Sequence, residues 1–365
     1  MAKRVIISGG GTGGHIFPAV AIANALKHIQ PDTEILFVGA SGKMEIEKVP
    51  AAGYKIIGLD IQGFQRKALW KNILLPYKML VSVIKARKVI KEFKPDVAVG
   101  VGGYASGPLL YAAGMMNVPY IIQEQNSFAG ITNKWLGKKA KLVCVAFEGM
   151  QQFFPQDKIL LTGNPIRKES VAIENKRSEA SVFFELKQNK KTILVIGGSL
   201  GAGTLNKSML AGLEKLVAAD VQLIWQTGKF YYKSIAEQLN GKTHAGIKVM
   251  EFLNRMDLAY AMADVIISRA GAGSIAEMSV IKKPVILVPS PNVAEDHQTK
   301  NAMALVDKNA ALMVADNIAE QELVDVALSL INNPDKIREL GNNIGLMAQP
   351  MADEIIADEV LKIAG

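Results

Sequence analysis

A histidine closes a run of glycines near the start of the chain. Gly9-Gly10-Gly11-Thr12-Gly13-Gly14-His15 follows the apolar, β-branched run Arg4-Val5-Ile6-Ile7-Ser8. An imidazole titrates near neutral pH and can take a proton from an attacking hydroxyl, or serve only as a donor to a phosphate or substrate oxygen. Glycines let the backbone approach a ligand closely, and a helix that begins beside them aims its N–H groups and positive dipole end at the same place. Such a loop suits an anion, usually a phosphate. Four further clusters of small, amide and charged residues follow strand-like runs: Gly102 to Pro108, Gln123-Glu124-Gln125-Asn126, Ser268 to Glu277, and Glu295 to Ala302.

The elements that must position these residues follow from periodicity. Apolar run, glycine loop, then Val20, Ile22, Ala23 and Leu26 at helical spacing read as strand, tight loop and helix. Gly9, Gly11 and Gly14 also satisfy G-x-G-x-x-G, a weak dinucleotide signal. That reading needs an acid after the second strand, Ile35–Val38, to hold a ribose, and the sequence there continues Gly39-Ala40-Ser41. Packing of helix on sheet also calls for glycine, but five glycines in residues 9–14 exceed that need.

The chain repeats its opening. Lys191–Ile196 runs into Gly197-Gly198-Ser199-Leu200-Gly201-Ala202-Gly203, then a helical stretch with Leu205, Met209 and Leu213. Strand-like runs alternate with helical segments in both halves: 55–59, 97–101, 120–123 and 142–146 in the first, and 222–226, 247–252, 265–268 and 285–289 in the second. This alternation predicts α/β architecture, two doubly wound parallel sheets whose ligands lie at the carboxyl ends of strands. A cleft between the two halves is the expected site. The expected division is 1–165, 166–345 and a helical stretch 346–365 that packs back on the N-terminal domain.

Bulk properties bound the function classes. At 365 residues, with 49% apolar and 21% charged residues, the chain reads as an ordinary folded two-domain protein. The single cysteine, Cys144, lies in an apolar run and reads as a core residue; without a partner it forms no internal disulfide, which fits a reducing compartment. No leader peptide and no run of 18 apolar residues are evident, so a cytoplasmic location is expected. From Phe64 to Lys94 nine bases face one acid, Glu92, so this segment carries +8, equal to the net charge of the whole chain. Large apolar residues are interleaved with the bases, and Trp70, Ile73, Leu74 and Lys78 are the candidates for a membrane-facing patch. Bases beside large apolar side chains fit docking on an anionic membrane surface; the alternative is an amphipathic helix with a solvated basic face. The rest of the chain lacks such clusters, so no nucleic-acid partner is expected.

Taken together, Gly10-Gly11-Thr12-Gly13-Gly14-His15, Gly102-Gly103-Tyr104, Ser106-Gly107-Pro108, Gln123-Glu124-Gln125-Asn126, Gly163-Asn164-Pro165-Ile166-Arg167, Gly197–Ala202, Ser268-Arg269-Ala270-Gly271-Ala272 and Asp296-His297-Gln298 resemble, in order, the MurG family of bacterial glycosyltransferases. The resemblance implies a GT-B fold of two Rossmann-like domains and an inverting, metal-independent enzyme without a cofactor. It implies transfer of N-acetylglucosamine from UDP-N-acetylglucosamine to the 4-hydroxyl of the muramyl sugar of lipid I, giving lipid II, by a peripheral protein on the cytoplasmic face of the membrane. The alternative is another GT-B glycosyltransferase acting on a membrane lipid acceptor. No Asp-x-Asp occurs, so the carboxylate pair that commonly holds a metal on a nucleotide sugar is missing.

The same resemblance assigns residues. His15 is the candidate base and Glu124 its competitor, while Thr12, Gly13 and Gly14 line the junction of acceptor and donor. Ser199 meets the donor phosphates, Arg167 reaches the uracil side, and Leu253 supplies backbone contacts to uracil. Ala272, Asn126 and Gln298 address the sugar, within a donor-binding stretch that includes Gly273, Ser274, Ile275, Ala276 and Glu277. Glu277 is expected on the ribose hydroxyls, yet Ser274-x-x-Glu277 is also a capping-box pattern that would put it at the third position of a helix. Two departures stand out: the 272–276 stretch lacks the bulkier, threonine-containing sequence of many relatives, and Thr299 replaces a second glutamine after Gln298.

Overall fold

The computed structural model describes residues 2–63, 73–239 and 244–365. Trp70, and with it Arg66, Lys67 and Lys71 of the basic segment, lies outside the described residues. The chain divides into two compact units, the first built from Met1–Ile166 and Gln349–Gly365, the second from Arg167–Ala348.

Among the described residues, the first unit holds a seven-stranded sheet: β1 (Arg4–Ser8), β2 (Glu34–Ala40), β3 (Lys55–Leu59), β4 (Val97–Gly100), β5 (Tyr120–Glu124), β6 (Leu142–Val145) and β7 (Ile159–Leu161), in the order 3-2-1-4-5-6-7. Every pairing is parallel. Both faces of a parallel sheet are covered by crossover helices, which is why its strands are apolar throughout instead of alternating. Val5 and Ile7 pack on one face with the helix Gly13–Ile29 and with Ile356, Ala357 and Val360 of the C-terminal helix Ala352–Ile363. Ile6, one residue out of phase, packs on the other face with Val83, Ala86 and Ile90 of the helix Leu75–Phe93 and with Leu109 and Leu110 of Ser106–Met115. Cys144 is buried in the first of these clusters. Burial, and second the nearby Glu359, pushes its thiol up to about 12.

The second unit repeats the plan with β8 (Thr192–Ile196), β9 (Gln222–Gln226), β10 (Ile247–Met250), β11 (Val265–Ser268), β12 (Val285–Leu287) and β13 (Leu312–Met313), all parallel, in the order 10-9-8-11-12-13. In each unit the order reverses beside the first strand, between β1 and β4 and between β8 and β11. The crevice outside the strand ends at such a reversal is where doubly wound sheets bind ligands. Both glycine-rich loops lie there. β7 and β13 were not evident in the sequence: each is an edge strand, three and two residues long, too short to show a period.

Candidate functional site

In the first unit, the loop after β1 meets the loop after β4 backbone to backbone. His15 is the third residue of the helix Gly13–Ile29 and is part-exposed, with Thr12 and Gly14 exposed beside it. Its Nδ1 lies 3.1 Å from the carbonyl oxygen of Gly10 and 3.4 Å from Thr12 Oγ1. Gly102, at φ +96°, lets the chain pass flat against the imidazole; a Cβ there would sit 2.5 Å from His15 Cδ2. The loop also has a partner that sequence reasoning missed. Glu45, buried at the start of the helix Glu45–Ala51, accepts from Gly11 N–H at 2.8 Å and from Ala40 N–H at 3.0 Å. The only signal for it in the sequence was an acid in a helix's first turn, which is common at exposed positions too.

Glu124 ends β5 and is buried. Its Oε1 accepts from Asn126 N–H at 3.1 Å and from Asn126 Nδ2 at 3.4 Å, and its Oε2 from Gly130 N–H at 3.2 Å and Asn133 Nδ2 at 2.8 Å. A carboxylate has about four acceptor positions, and four donors from the following loop and the first turn of the helix Ile131–Gly137 occupy them. The geometry is that of a brace that shapes residues 125–130, against the expectation of a base at this position. The neighbouring amides are braces as well: Gln123 Nε2 donates to Asn164 Oδ1 at 2.8 Å, Asn164 Nδ2 to Gln125 O at 3.0 Å, and Gln125 Nε2 to Val101 O at 3.1 Å. These three amides tie the ends of β4, β5 and β7 together and leave Asn126 as the part-exposed member of its motif.

In the second unit, Gly198 to Gly201 closes in a turn, Gly201 N–H to Gly198 O at 3.1 Å, and exposes Ser199 ahead of the helix Gly203–Ala211. The loop after β9 locks against it: a Cβ on Gly201 would lie 2.1 Å from Thr227 O. Gln226 joins this loop to the segment after β10. Its buried amide donates from Nε2 to Gly198 O and accepts at Oε1 from Leu253 N–H, each at 3.0 Å. The N–H of Leu253 is therefore occupied.

The helix Ala272–Ile281 starts at the end of β11, with Gly271 as its N-cap and no side-chain cap. Ser274 is thus inside the helix and Glu277 is its sixth residue, which excludes the capping box. Ala272, Gly273, Ser274 and Ala276 are exposed or part-exposed, whereas Ile275 is buried and its N–H is bonded to Gly271 O. Glu277 is held from two sides: Arg167 Nε and Nη2 donate to Oε1, both at 3.2 Å, and Tyr260 OH donates to Oε2 at 2.9 Å. Burial, and second the Glu277 charge, raises the Tyr260 phenol well above its ordinary value, so it stays a donor. Gln298, second residue of the helix His297–Val306, accepts from Ser290 N–H at 2.9 Å through Oε1, and so turns its amide nitrogen away from that bond. Among the described residues no group of three His, Cys, Asp or Glu has a metal-binding arrangement.

The helix Leu75–Phe93 has two apolar faces. Val83, Ala86, Val89 and Ile90 enter the core, while Ile73 (83% exposed) just ahead of it and Tyr77, Leu80 and Ile84 (66%, 60% and 58%) form a stripe at helical spacing in solvent. Leu74 is exposed beside them. A solvated basic face does not account for four large apolar side chains in a row. Lys78 instead reaches Asp60, 3.7 Å away. No helix among the described residues is long and apolar enough to cross a membrane.

Comparison with known proteins agrees with this layout. Residues 5–145 match the glycosyltransferase family 28 N-terminal domain and residues 192–355 the family 28 C-terminal domain. A Bacteroides fragilis protein named UDP-N-acetylglucosamine–N-acetylmuramyl-(pentapeptide) pyrophosphoryl-undecaprenol N-acetylglucosamine transferase is 56% identical over 365 residues, covering 100% of this chain and 96% of its own. A protein of the same name from Cytophaga hutchinsonii is 57% identical over 360 residues, covering 99% and 96%. The crystal structure of Acinetobacter baumannii MurG superposes with a TM-score of 0.80 at 30% identity and 99% coverage of both chains, so the fold is GT-B. Two glycine-loop sheets, a histidine on the first and a held carboxylate on the second thus belong to a known lineage: the chain is a member of glycosyltransferase family 28, within the MurG group of N-acetylglucosamine transferases.

Proposed function

We propose that this protein transfers N-acetylglucosamine from its UDP form to the 4-hydroxyl of the muramyl sugar of lipid I, making lipid II for peptidoglycan. The observation that carries this reading is identity of 56% over the whole chain to a protein named for that transfer. The relatives' names favour the muramyl lipid over any other lipid acceptor.

The residues fit the chemistry. In a single displacement the acceptor oxygen attacks the anomeric carbon, the bond from that carbon to the diphosphate breaks, and the configuration inverts. His15 Nε2 takes the proton of the attacking hydroxyl. The departing diphosphate gains charge, and N–H groups at Gly197–Ala202, the Ser199 hydroxyl and the N-terminus of the helix Gly203–Ala211 are suited to meet it without a metal. Glu277 takes the ribose hydroxyls, Arg167 and the Leu253 carbonyl the uracil side. Ala272 and Gln298 address the transferred sugar, as does Asn126, while Thr12, Gly13 and Gly14 line the path of the acceptor. The exposed stripe of Ile73, Leu74, Tyr77, Leu80 and Ile84, with the bases of its helix, rests on an anionic membrane surface, so the protein works as a peripheral one on the cytoplasmic face where lipid I presents its sugar.

The test is formation of lipid II from a lipid I analogue and UDP-N-acetylglucosamine in the presence of EDTA. Product from the muramyl acceptor and none from a diacylglycerol acceptor supports the reading; the reverse pattern overturns it.

A further inference from the structure

One peptide group joins two functional side chains. The peptide between Gly10 and Gly11 gives its N–H to Glu45 Oε2 at 2.8 Å and offers its carbonyl oxygen to His15 Nδ1 at 3.1 Å. A carbonyl oxygen accepts and cannot donate, so the imidazole proton sits on Nδ1 and the lone pair on Nε2. We propose that Glu45 is a positioning residue for the transfer reaction, acting on His15 through this peptide. Its charge polarises the N–H, which strengthens the carbonyl at the other end as an acceptor. The strengthened carbonyl fixes the Nδ1–H tautomer and makes Nε2 the more basic nitrogen. A carboxylate bonded straight to histidine does the same in Ser-His-Asp hydrolases; here a peptide stands between the two.

Three glycines make room for the arrangement. A Cβ on Gly10 would lie 2.2 Å from Glu45 Oε1, one on Gly39 2.6 Å from Glu45 Cγ, and one on Gly102 2.8 Å from His15 Nε2. Glu45 has no measurable exposure, and its second oxygen is held by Ala40 N–H, so the carboxylate cannot swing away from the loop without stranding two buried donors. Other charged or titratable groups lie on elements packed around the His15 helix. Glu47 and Lys48 are exposed and paired with each other. Tyr104 lies against Gly11. The C-terminal helix carries Asp353, Glu354, Asp358, Glu359 and Lys362. Of these groups, Glu45 is the one bonded to the peptide that His15 uses.

The inference rests on His15 being the base of the proposed reaction, and it is tested without turnover. Protein labelled with 15N-histidine contains four histidines, and His15 is assigned by its loss in His15→Gln. The expected result is an Nδ1–H tautomer in the wild type and a His15 pKa lowered by about 0.5 or more in Glu45→Gln, since a lost carboxylate disfavours the imidazolium. In transfer assays the acid limb of kcat moves to lower pH by the same amount, with the donor KM unchanged within about twofold. Should Glu45→Gln fail to fold, Glu45→Asp keeps the charge one methylene further off and gives a smaller fall in the same direction. An unchanged His15 titration in whichever variant folds, or an Nε2–H tautomer in the wild type, overturns the proposal. A wild-type protein that transfers no sugar counts against the proposed function and leaves the titration to judge Glu45.

Discussion

Arg167 and Glu277 form a two-pronged pair, with Nε and Nη2 of the guanidinium both 3.2 Å from one carboxylate oxygen. The other oxygen is taken by Tyr260, so Glu277 is held in one rotamer on the helix that follows β11. A carboxylate fixed in advance loses little freedom when it accepts from a ribose diol. Replacing Glu277 with Gln is expected to raise the KM for UDP-N-acetylglucosamine about tenfold or more, with a smaller change in kcat. Tyr260→Phe, which frees the carboxylate without removing it, should raise that KM by about three- to tenfold. Steady-state kinetics with varied donor check both; unchanged KM values would remove Glu277 from the donor site.

Glu124 gives a sharper contrast between two roles. As a brace, its loss relaxes residues 125–130, so Glu124→Gln is expected to lower Tm by several degrees, about 2–4 °C for each kcal/mol in units of this size. With His15 as the proposed base, the acid limb of the pH–rate profile should persist. A profile that loses its acid limb in Glu124→Gln would return the base to Glu124. Thermal melts and kcat against pH on one preparation separate these outcomes.

The exposed stripe on the helix Leu75–Phe93 predicts a surface effect. Tyr77→Ser, Leu80→Ser and Ile84→Ser together are expected to weaken sedimentation with vesicles containing anionic lipid by about a hundredfold or more, since each large side chain loses about 1–2 kcal/mol of burial in the interface. Turnover of a short-chain, soluble acceptor should be nearly unchanged. Equal vesicle binding by wild type and triple variant would leave the stripe without that role.

Cys144 makes a pH prediction. Its thiol is pushed up to about 12 in the folded protein, against about 8.5 in an unfolded chain, so above pH ~8.5 the unfolded state releases a proton that the folded state keeps. The stability contribution is therefore whole below pH ~8.5 and is lost as pH rises toward about 12, at up to about 1.4 kcal/mol per pH unit. Denaturant midpoints at pH 8 and pH 10 should converge toward those of Cys144→Ala, which lacks this slope. Thiol reagents should react with the wild type only as fast as it unfolds.

Much of this was legible in the sequence, for a physical reason. Strand runs such as Val5-Ile6-Ile7 and Ile193-Leu194-Val195 are buried on both faces, and the glycines that end them are dictated by close approach, so each leaves a local signature. What escaped depends on contacts between distant segments. Nothing near Glu45 says that its carboxylate will meet the amide of Gly11, 34 residues away, and nothing near Gln226 says that it will bridge Gly198 and Leu253. The run Gln123-Glu124-Gln125-Asn126 shows the converse: it read as a polar strand-end cluster holding a candidate base and a sugar contact, yet three of its four side chains turn inward to hold strand ends. The run marks its family because those braces shape the loop. The capping box that Ser274-x-x-Glu277 offered as the alternative for Glu277 is ruled out, since the helix starts at Ala272 and the pattern falls inside it.

The central claim is that His15 removes the acceptor's proton while the second unit holds the donor. It is tested most directly by comparing wild type and His15→Ala in transfer to a short-chain lipid I analogue, with UDP-N-acetylglucosamine affinity measured by calorimetry on the same samples. The account predicts a fall in kcat of about 10²–10⁴ with donor affinity preserved. A variant that still turns over within a few fold of wild type would contradict it.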